Sequence, residues 1–155
     1  SELNDKLAET RILIENKEKE LDYLSTITEK GYSILELIPK QSLVVYQRYS
    51  NPFIDIFVDN YSKQITVVKI QGSILGDDLI EIDDITSYEV NKGYGSLAMK
   101  HLQKFASFNK KNISGWISPV DKDHHDRLIA YYKKHNFVIS YNHQNEPVSI
   151  FWEYE

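Results

Sequence analysis

Residues 2–30 contain no Gly, Pro or Phe, and at Tyr32 the spacing of the apolar residues drops from seven to two. A chain with that break joins a long helix to a sheet. Leu7, Ile14 and Leu21 recur every seven residues, Leu3 and Leu24 occupy the second seam position, and Thr10 and Lys17 interrupt it. The pattern predicts a long amphipathic helix over 2–30 that stops at Gly31. Its stripe has two outlets. It packs on its own chain, or it pairs with another copy as a short coiled coil and makes a homo-oligomer. The sequence is read accordingly as a helical segment, 1–31, and a mixed domain, 32–155.

Beyond Gly31 the Ile-, Val-, Phe- and Tyr-rich segments 33–38, 43–49, 53–58 and 64–70 read as strands. In 53–58 the alternation puts Phe53, Asp55 and Phe57 on one face and Ile54, Ile56 and Val58 on the other. Asn51-Pro52 and Asp59-Asn60-Tyr61-Ser62-Lys63 read as turns, and 72–78, with Gly72, Gly76, Asp77 and Asp78, as a loop. A strand at 79–86 follows, then a helix over 96–109 with Ala98, Leu102, Phe105 and Ala106 on one face. The rest reads as a strand at 113–117, a helix at 123–135 and strands at 137–141 and 148–154. This order predicts a mixed α/β (α+β) fold, a mostly antiparallel central sheet flanked by helices.

Composition removes several function classes. The chain has 155 residues, 41% hydrophobic and 26% charged, enough for one packed domain. It has no cysteine, which excludes disulfides, thiolate zinc sites and a cysteine nucleophile. No apolar run is long enough to span a bilayer, and no basic segment precedes an apolar one as in a signal peptide. A cytoplasmic, soluble protein is the expectation. The net charge of −5 argues against general nucleic-acid binding. Lys104, Lys110, Lys111, Lys133 and Lys134 are read as a solvated surface rather than an RNA-binding groove. The sequence begins at Ser1 rather than Met and is read as a processed, trimmed or C-terminal piece.

Chemistry concentrates in 79–96, a strand, a short loop and Gly93-Tyr94-Gly95 at a helix start. A helix N-terminus carries unpaired N–H groups and partial positive charge. Two glycines let a pyrophosphate approach the backbone, and Lys92 adds a full charge. Neither a Walker loop nor a dinucleotide fingerprint is present. Asp121-Lys122-Asp123-His124-His125-Asp126 lacks metal-ligand spacing and is read as the acidic start of a helix, so no metal is expected. His101 and His135 are read as surface residues.

Two motifs then occur together: Val90-Asn91-Lys92-Gly93-Tyr94-Gly95, and Tyr132-Lys133-Lys134-His135-Asn136-Phe137 about 40 residues later. In this pairing the chain resembles the GNAT superfamily of acetyl-CoA-dependent N-acetyltransferases, over about residues 79–140. Their signatures are [Gln/Arg]-x-x-Gly-x-[Gly/Ala] after a strand and Tyr-x-x-x-Gly-Phe at a helix end. Val90 replaces the usual Gln or Arg. Asn136 replaces the usual Gly, and Asn tolerates a left-handed helix end. The family also has two helices after its first strand that shape the acceptor pocket, where only residues 39–42 are available here.

The resemblance implies direct transfer of an acetyl group to a primary amine in a ternary complex. Val90, Asn91, Lys92, Gly93, Tyr94, Gly95 and Ser96 would hold the pyrophosphate. The strand edge at Ile85 and Thr86 would hold the pantetheine arm, with His125 where the family often has an Asn that touches it. Tyr132 would protonate the leaving thiolate, its alternative being a core aromatic. Glu81, or less favourably Asp83, would take the proton of the ammonium or attract a cationic acceptor, the alternative being solvated carboxylates. A different class stays open: a non-catalytic acyl-CoA-binding or interaction module assembled through the N-terminal helix.

Overall fold

The computed structural model describes residues 1–89, 92–119 and 124–155. Helix α1 runs Glu2–Glu29, with Ser1 Oγ accepting from Asn4 N–H at its start. It ends where expected, at Gly31 with φ +83°. Eight strands follow, β1 (Ser33–Ile38), β2 (Leu43–Ser50), β3 (Phe53–Asn60), β4 (Ile65–Leu75), β5 (Leu79–Ser87), β6 (Asn112–Trp116), β7 (Val138–Tyr141) and β8 (Pro147–Trp152). Helix α2 (Tyr94–Phe108) joins β5 to β6, and α3 (His125–Lys134) precedes β7. The strands form one sheet in the order β1-β2-β3-β4-β5-β6-β8-β7. Every pair is antiparallel except β5 with β6. The mixed, mostly antiparallel architecture is the one the sequence predicts.

The main core lies between the sheet and α2. Ile54, Ile56 and Val58 of β3 turn one way, as their alternation requires, and meet Ala98, Met99, Leu102 and Ala106. All seven are essentially without solvent exposure. Burial of this kind contributes about 2 kcal/mol per large aliphatic side chain. Two expectations are corrected here. Residues 72–75 are strand, not loop: a Cβ on Gly72 would come within 3.2 Å of the Ile54 carbonyl and Ile80 Cγ2, so this glycine serves close packing. His101 is buried rather than on the surface, 7% exposed, with Nε2 2.7 Å from Glu36 Oε1. Its helical face is the core face, and the β1 carboxylate satisfies its ring.

The opposite face of the sheet carries Val44, Tyr46 and Phe57, with Tyr61 and Ile27 of α1. Tyr46 and Phe57 stack at 4.8 Å. Buried Asp59 accepts hydrogen bonds from Tyr23 of α1 at 2.5 Å and from Tyr46 at 2.8 Å, which pins the last two turns of the helix. Residues 1–19 are exposed throughout. The two readings of the apolar stripe therefore divide within one helix. Leu24 packs on its own chain, whereas Leu3, Leu7, Ile14 and Leu21 are each at least half exposed. Between β1 and β2 stands a single turn of 3₁₀ helix, Pro39–Gln41, so no helices shape this side of the sheet there.

Candidate active site

Parallel strands β5 and β6 pair from Leu79↔Asn112 to Ile82↔Gly115 and then part. Strand β5 runs on to Ser87 and β6 only to Trp116. The gap is a cleft of about 190 Å³ walled by Asp83, Asp84, Ile85, Trp116, Ile117, Leu128 and Tyr132. Ile85 and Leu128 also border a second, more open cavity of about 350 Å³. This one is lined by Lys92, Gly93, Tyr94, Gly95 and Ser96 at the start of α2, and by His124, Arg127 and Tyr131 of the α3 segment. The two spaces adjoin at Ile85 and Leu128, one at the start of α2 and the other against Tyr132.

The α2 start carries the partial positive charge of a helix N-terminus. Its N-cap is Gly93, with φ +77°, a conformation that costs an L side chain about 1–2 kcal/mol. Among the described residues no side-chain hydrogen bond caps the helix and no acidic residue lies in its first turn, and the residues of that turn line the cavity. Gly95 has a different reason. A Cβ there would lie 3.3 Å from the Tyr131 ring, whose hydroxyl donates to the Gly95 carbonyl at 2.8 Å. Tyr131 thereby locks α3 against the first turn of α2, and burial raises its phenol above the ordinary range. Ser96 Oγ lies 3.0 Å from His135 Nε2. His135 is thus half-buried rather than a simple surface residue, because α3 ends beside α2. Burial, then Lys134, holds its imidazole below the ordinary value.

Tyr132 is both a core aromatic and a wall of the cleft. It is 6% exposed and packs edge-on against Phe137 at 5.2 Å, yet it also walls the cleft. Burial, followed by the charge of Asp84, pushes its phenol up to about 12. Asn136 adopts φ +68°, and the Phe137 N–H closes on the Tyr132 carbonyl at 3.0 Å, so Asn does end this helix as Gly would.

The carboxylates are arranged differently from simple alternation. A bulge opposite Gln71/Gly72 leaves Asp83 as the extra residue of β5. Glu81 and Asp84 therefore share a face, opposite Ser73 and Gln71, where simple alternation along a strand would pair Glu81 with Asp83. The cleft is walled by Asp83 and Asp84, and Glu81 is not among its lining residues. Asp83 accepts from Ser73 Oγ, and Asp84 accepts from Thr86 Oγ1 at 2.9 Å.

Of the residues singled out in the sequence, Ile85, Lys92, Gly93, Tyr94, Gly95 and Ser96 line the larger cavity and Tyr132 the cleft. Thr86 bonds Asp84 instead of lining either space. The His125 ring meets the Ser118 carbonyl at 3.2 Å, and His124 and Arg127 take the cavity wall. Val90, Asn91 and Asp121-Lys122-Asp123 lie outside the described residues. His124, Arg127, Leu128 and Tyr131 were missed, although their i, i+3, i+4, i+7 spacing marks one helix face. No cluster able to hold a metal ion occurs among the described residues.

Comparison with solved structures bears on the fold. The N-acetyltransferase PseH of Campylobacter jejuni superposes with a TM-score of 0.51 over 68% of this chain and 71% of its own, at 13% identity. The fold is GNAT-like. Ard1 from Thermoplasma volcanium (TM-score 0.51, 19% identity, 67% of this chain and 71% of that one) carries the same GNAT-like arrangement. So does the GNAT domain of S. lividans PAT (TM-score 0.53, 8% identity, 68% and 64%). PseH has also been solved in complex with acetyl coenzyme A. In sequence, the uncharacterised Bacillus subtilis protein YocC is 40% identical over 77 residues, 49% of this chain. The match spans 46% of YocC, about half its length. No family model matches the chain.

Proposed function

We propose that this chain is an acetyl-CoA-dependent N-acetyltransferase that moves an acetyl group directly to a primary amine. The observation that carries the reading is the pair of adjoining spaces that share Ile85 and Leu128, one at the start of α2 and the other walled by the buried Tyr132. The anionic end of CoA fits the first, where helix N–H groups, Lys92 and Arg127 supply positive charge. The pantetheine arm fits the β5 edge at Ile85, which β6 leaves unpaired beyond Ile82.

In this reading the amine nitrogen attacks the thioester carbonyl carbon and the C–S bond breaks. The leaving thiolate takes a proton from Tyr132, and solvent later restores it. A phenol held up to about 12 stays protonated at every working pH, and the same rise makes it a weaker proton donor than a free tyrosine. The proton shed by the amine goes to a carboxylate of β5, directly or through water. Glu81 is the carboxylate the sequence suggested, but Asp84 lies nearer the chemistry, because it lines the same cleft as Tyr132 and Glu81 does not. Asp83 and Asp84 at the cleft favour a cationic acceptor such as a polyamine or a lysine side chain.

A second reading is a non-catalytic acyl-CoA-binding module. It is favoured by the single 3₁₀ turn that stands where acceptor-shaping helices would lie. Thiol release from acetyl-CoA across a panel of polyamines, aminoglycosides and lysine peptides separates the two. Amine-dependent release that Tyr132→Phe suppresses supports the enzyme. Tight acetyl-CoA binding without release from any amine supports the binding module.

A further inference from the structure

Trp116 walls the cleft and is 77% exposed, leaving most of a large apolar ring in water. The cleft is graded from mouth to floor. Asp83, Asp84 and Trp116 are exposed, whereas Ile82, Ile117 and Tyr132 are buried. Register explains why the exposed three stand together. Ile82 and Gly115 are the last pair before β5 and β6 part, and a Cβ on Gly115 would meet Ile82 and Ile150 of the core. Alternation from Ser114, the partner of Glu81, turns Trp116 to the opposite face. The bulge at Asp83 brings Asp84 to that face as well. Asp84 and Trp116 are therefore the first side chains beyond the fork on that side, one from each strand. Helix α1 packs on this face at Val44, Tyr46 and Phe57 of β2 and β3, two strands away from β5.

Three observations say what enters this mouth. Tyr132 on the floor is 6% exposed, and its hydroxyl has no hydrogen-bond partner among the described residues. Neither aspartate has a cationic partner among them: Asp83 accepts from Ser73 Oγ and Asp84 from Thr86 Oγ1. An indole face beside two such carboxylates attracts an ammonium and covers its methylene stem. Volume then decides what carries the ammonium. The cleft holds about 190 Å³, under the roughly 300 Å³ at which small-molecule pockets begin. A space that small takes one alkyl chain and no sugar ring. We propose that Trp116 selects the acceptor. With Asp84 it forms the entry for a primary ammonium on a flexible alkyl chain, the chain lying across the indole and the nitrogen reaching toward Tyr132. The inference rests on the acetyl-transfer reading of the same cleft. A lysine side chain and a polyamine arm share this chemistry, and an amine borne on a ring does not.

Calorimetry on the full chain with CoA in excess reads amine binding apart from turnover, because CoA has no acetyl group to transfer. Spermidine and a short peptide with one lysine are the probes. At least one should bind. Trp116→Ala should weaken it about 10-fold, and Trp116→Phe by less than about threefold. Because the ring is 77% exposed, Trp116→Ala should leave the melting temperature unchanged, which a structural role would not. In thiol release from acetyl-CoA the same variant should raise the amine KM about 10-fold and lower kcat less than about twofold. An aminoglycoside should show at least about 10-fold lower kcat/KM than the better chain amine. Whichever of spermidine and the peptide gives the higher kcat/KM names the source of the chain. Amine-dependent release with an unchanged KM in Trp116→Ala overturns the entry and keeps the transfer reading. Trp116-dependent amine binding with no release keeps the entry and overturns the transfer reading. Failure of the folded chain to bind either amine overturns the entry, and an aminoglycoside that reacts as well as spermidine overturns the choice of an alkyl chain.

Discussion

Helices α1 and α2 carry similar aliphatic residues and meet opposite fates. Leu102 and Met99 of α2 are fully enclosed, whereas Leu3 and Leu21 of α1 are 67% and 63% exposed. The difference is connectivity. Short segments tie α2 to β5 and β6, so its apolar face has only the sheet to meet, and its N-terminus must open at the end of β5. Helix α1 is tied at one end only, through Tyr23, Leu24 and Ile27, and residues 1–19 stay exposed. The pair of adjoining spaces is thus a product of close packing within one chain. The exposed stripe is a product of its absence.

The sharpest test on the packed side is Tyr132→Phe. It keeps the contact with Phe137 and removes only the hydroxyl, so turnover should fall about 100-fold while acetyl-CoA affinity changes less than about twofold. Because burial and Asp84 hold the phenol up to about 12, the wild-type rate should show no alkaline fall below about pH 10 that this substitution removes. Asp84→Asn should lower kcat/KM for a cationic amine about 10-fold, and Glu81→Gln by less than about threefold. The reverse order would return the proton-accepting role to the residue that the sequence suggested.

The tethered side breaks at its anchor. Tyr23→Phe removes the inter-element hydrogen bond to Oδ2 of buried Asp59, which then keeps only the one from Tyr46, while Oδ1 has no partner among the described residues. Urea unfolding should show a loss of about 1–2 kcal/mol, with acetyl-CoA affinity unchanged. The smallest effect sits where α3 meets α2. The imidazole of His135 has its folded value depressed, so its contribution to stability is whole above the unfolded value near 6.5. That contribution fades as pH falls below 6.5, because the unfolded chain then binds the extra proton. Melting temperatures of wild type and His135→Gln should therefore converge between pH 7 and pH 5.

Most of the fold was legible because its signals are local. The change of period at Tyr32, the alternation of 53–58 and the glycines at 93 and 95 each act within a few residues. The site was legible where a backbone demand shows in sequence, as at Gly93 and Asn136. It was not legible where geometry depends on a partner strand. The bulge at Asp83 exists only because β4 opposes two β5 residues with one, and it moves Asp84 rather than Glu81 to the cleft. His101 reads as exposed until Glu36 arrives from β1. The displacement of His125 by His124 and Arg127 depends on how α3 begins, which one residue of phase decides.

Calorimetric titration of the full chain with acetyl-CoA tests the central claim most directly. The account predicts one site per chain with micromolar affinity, weakened at least about 10-fold by Gly93→Val, whose side chain cannot hold φ +77° without strain. A folded wild-type chain that binds no acetyl-CoA, or binding that a folded Gly93→Val variant leaves untouched, would contradict it.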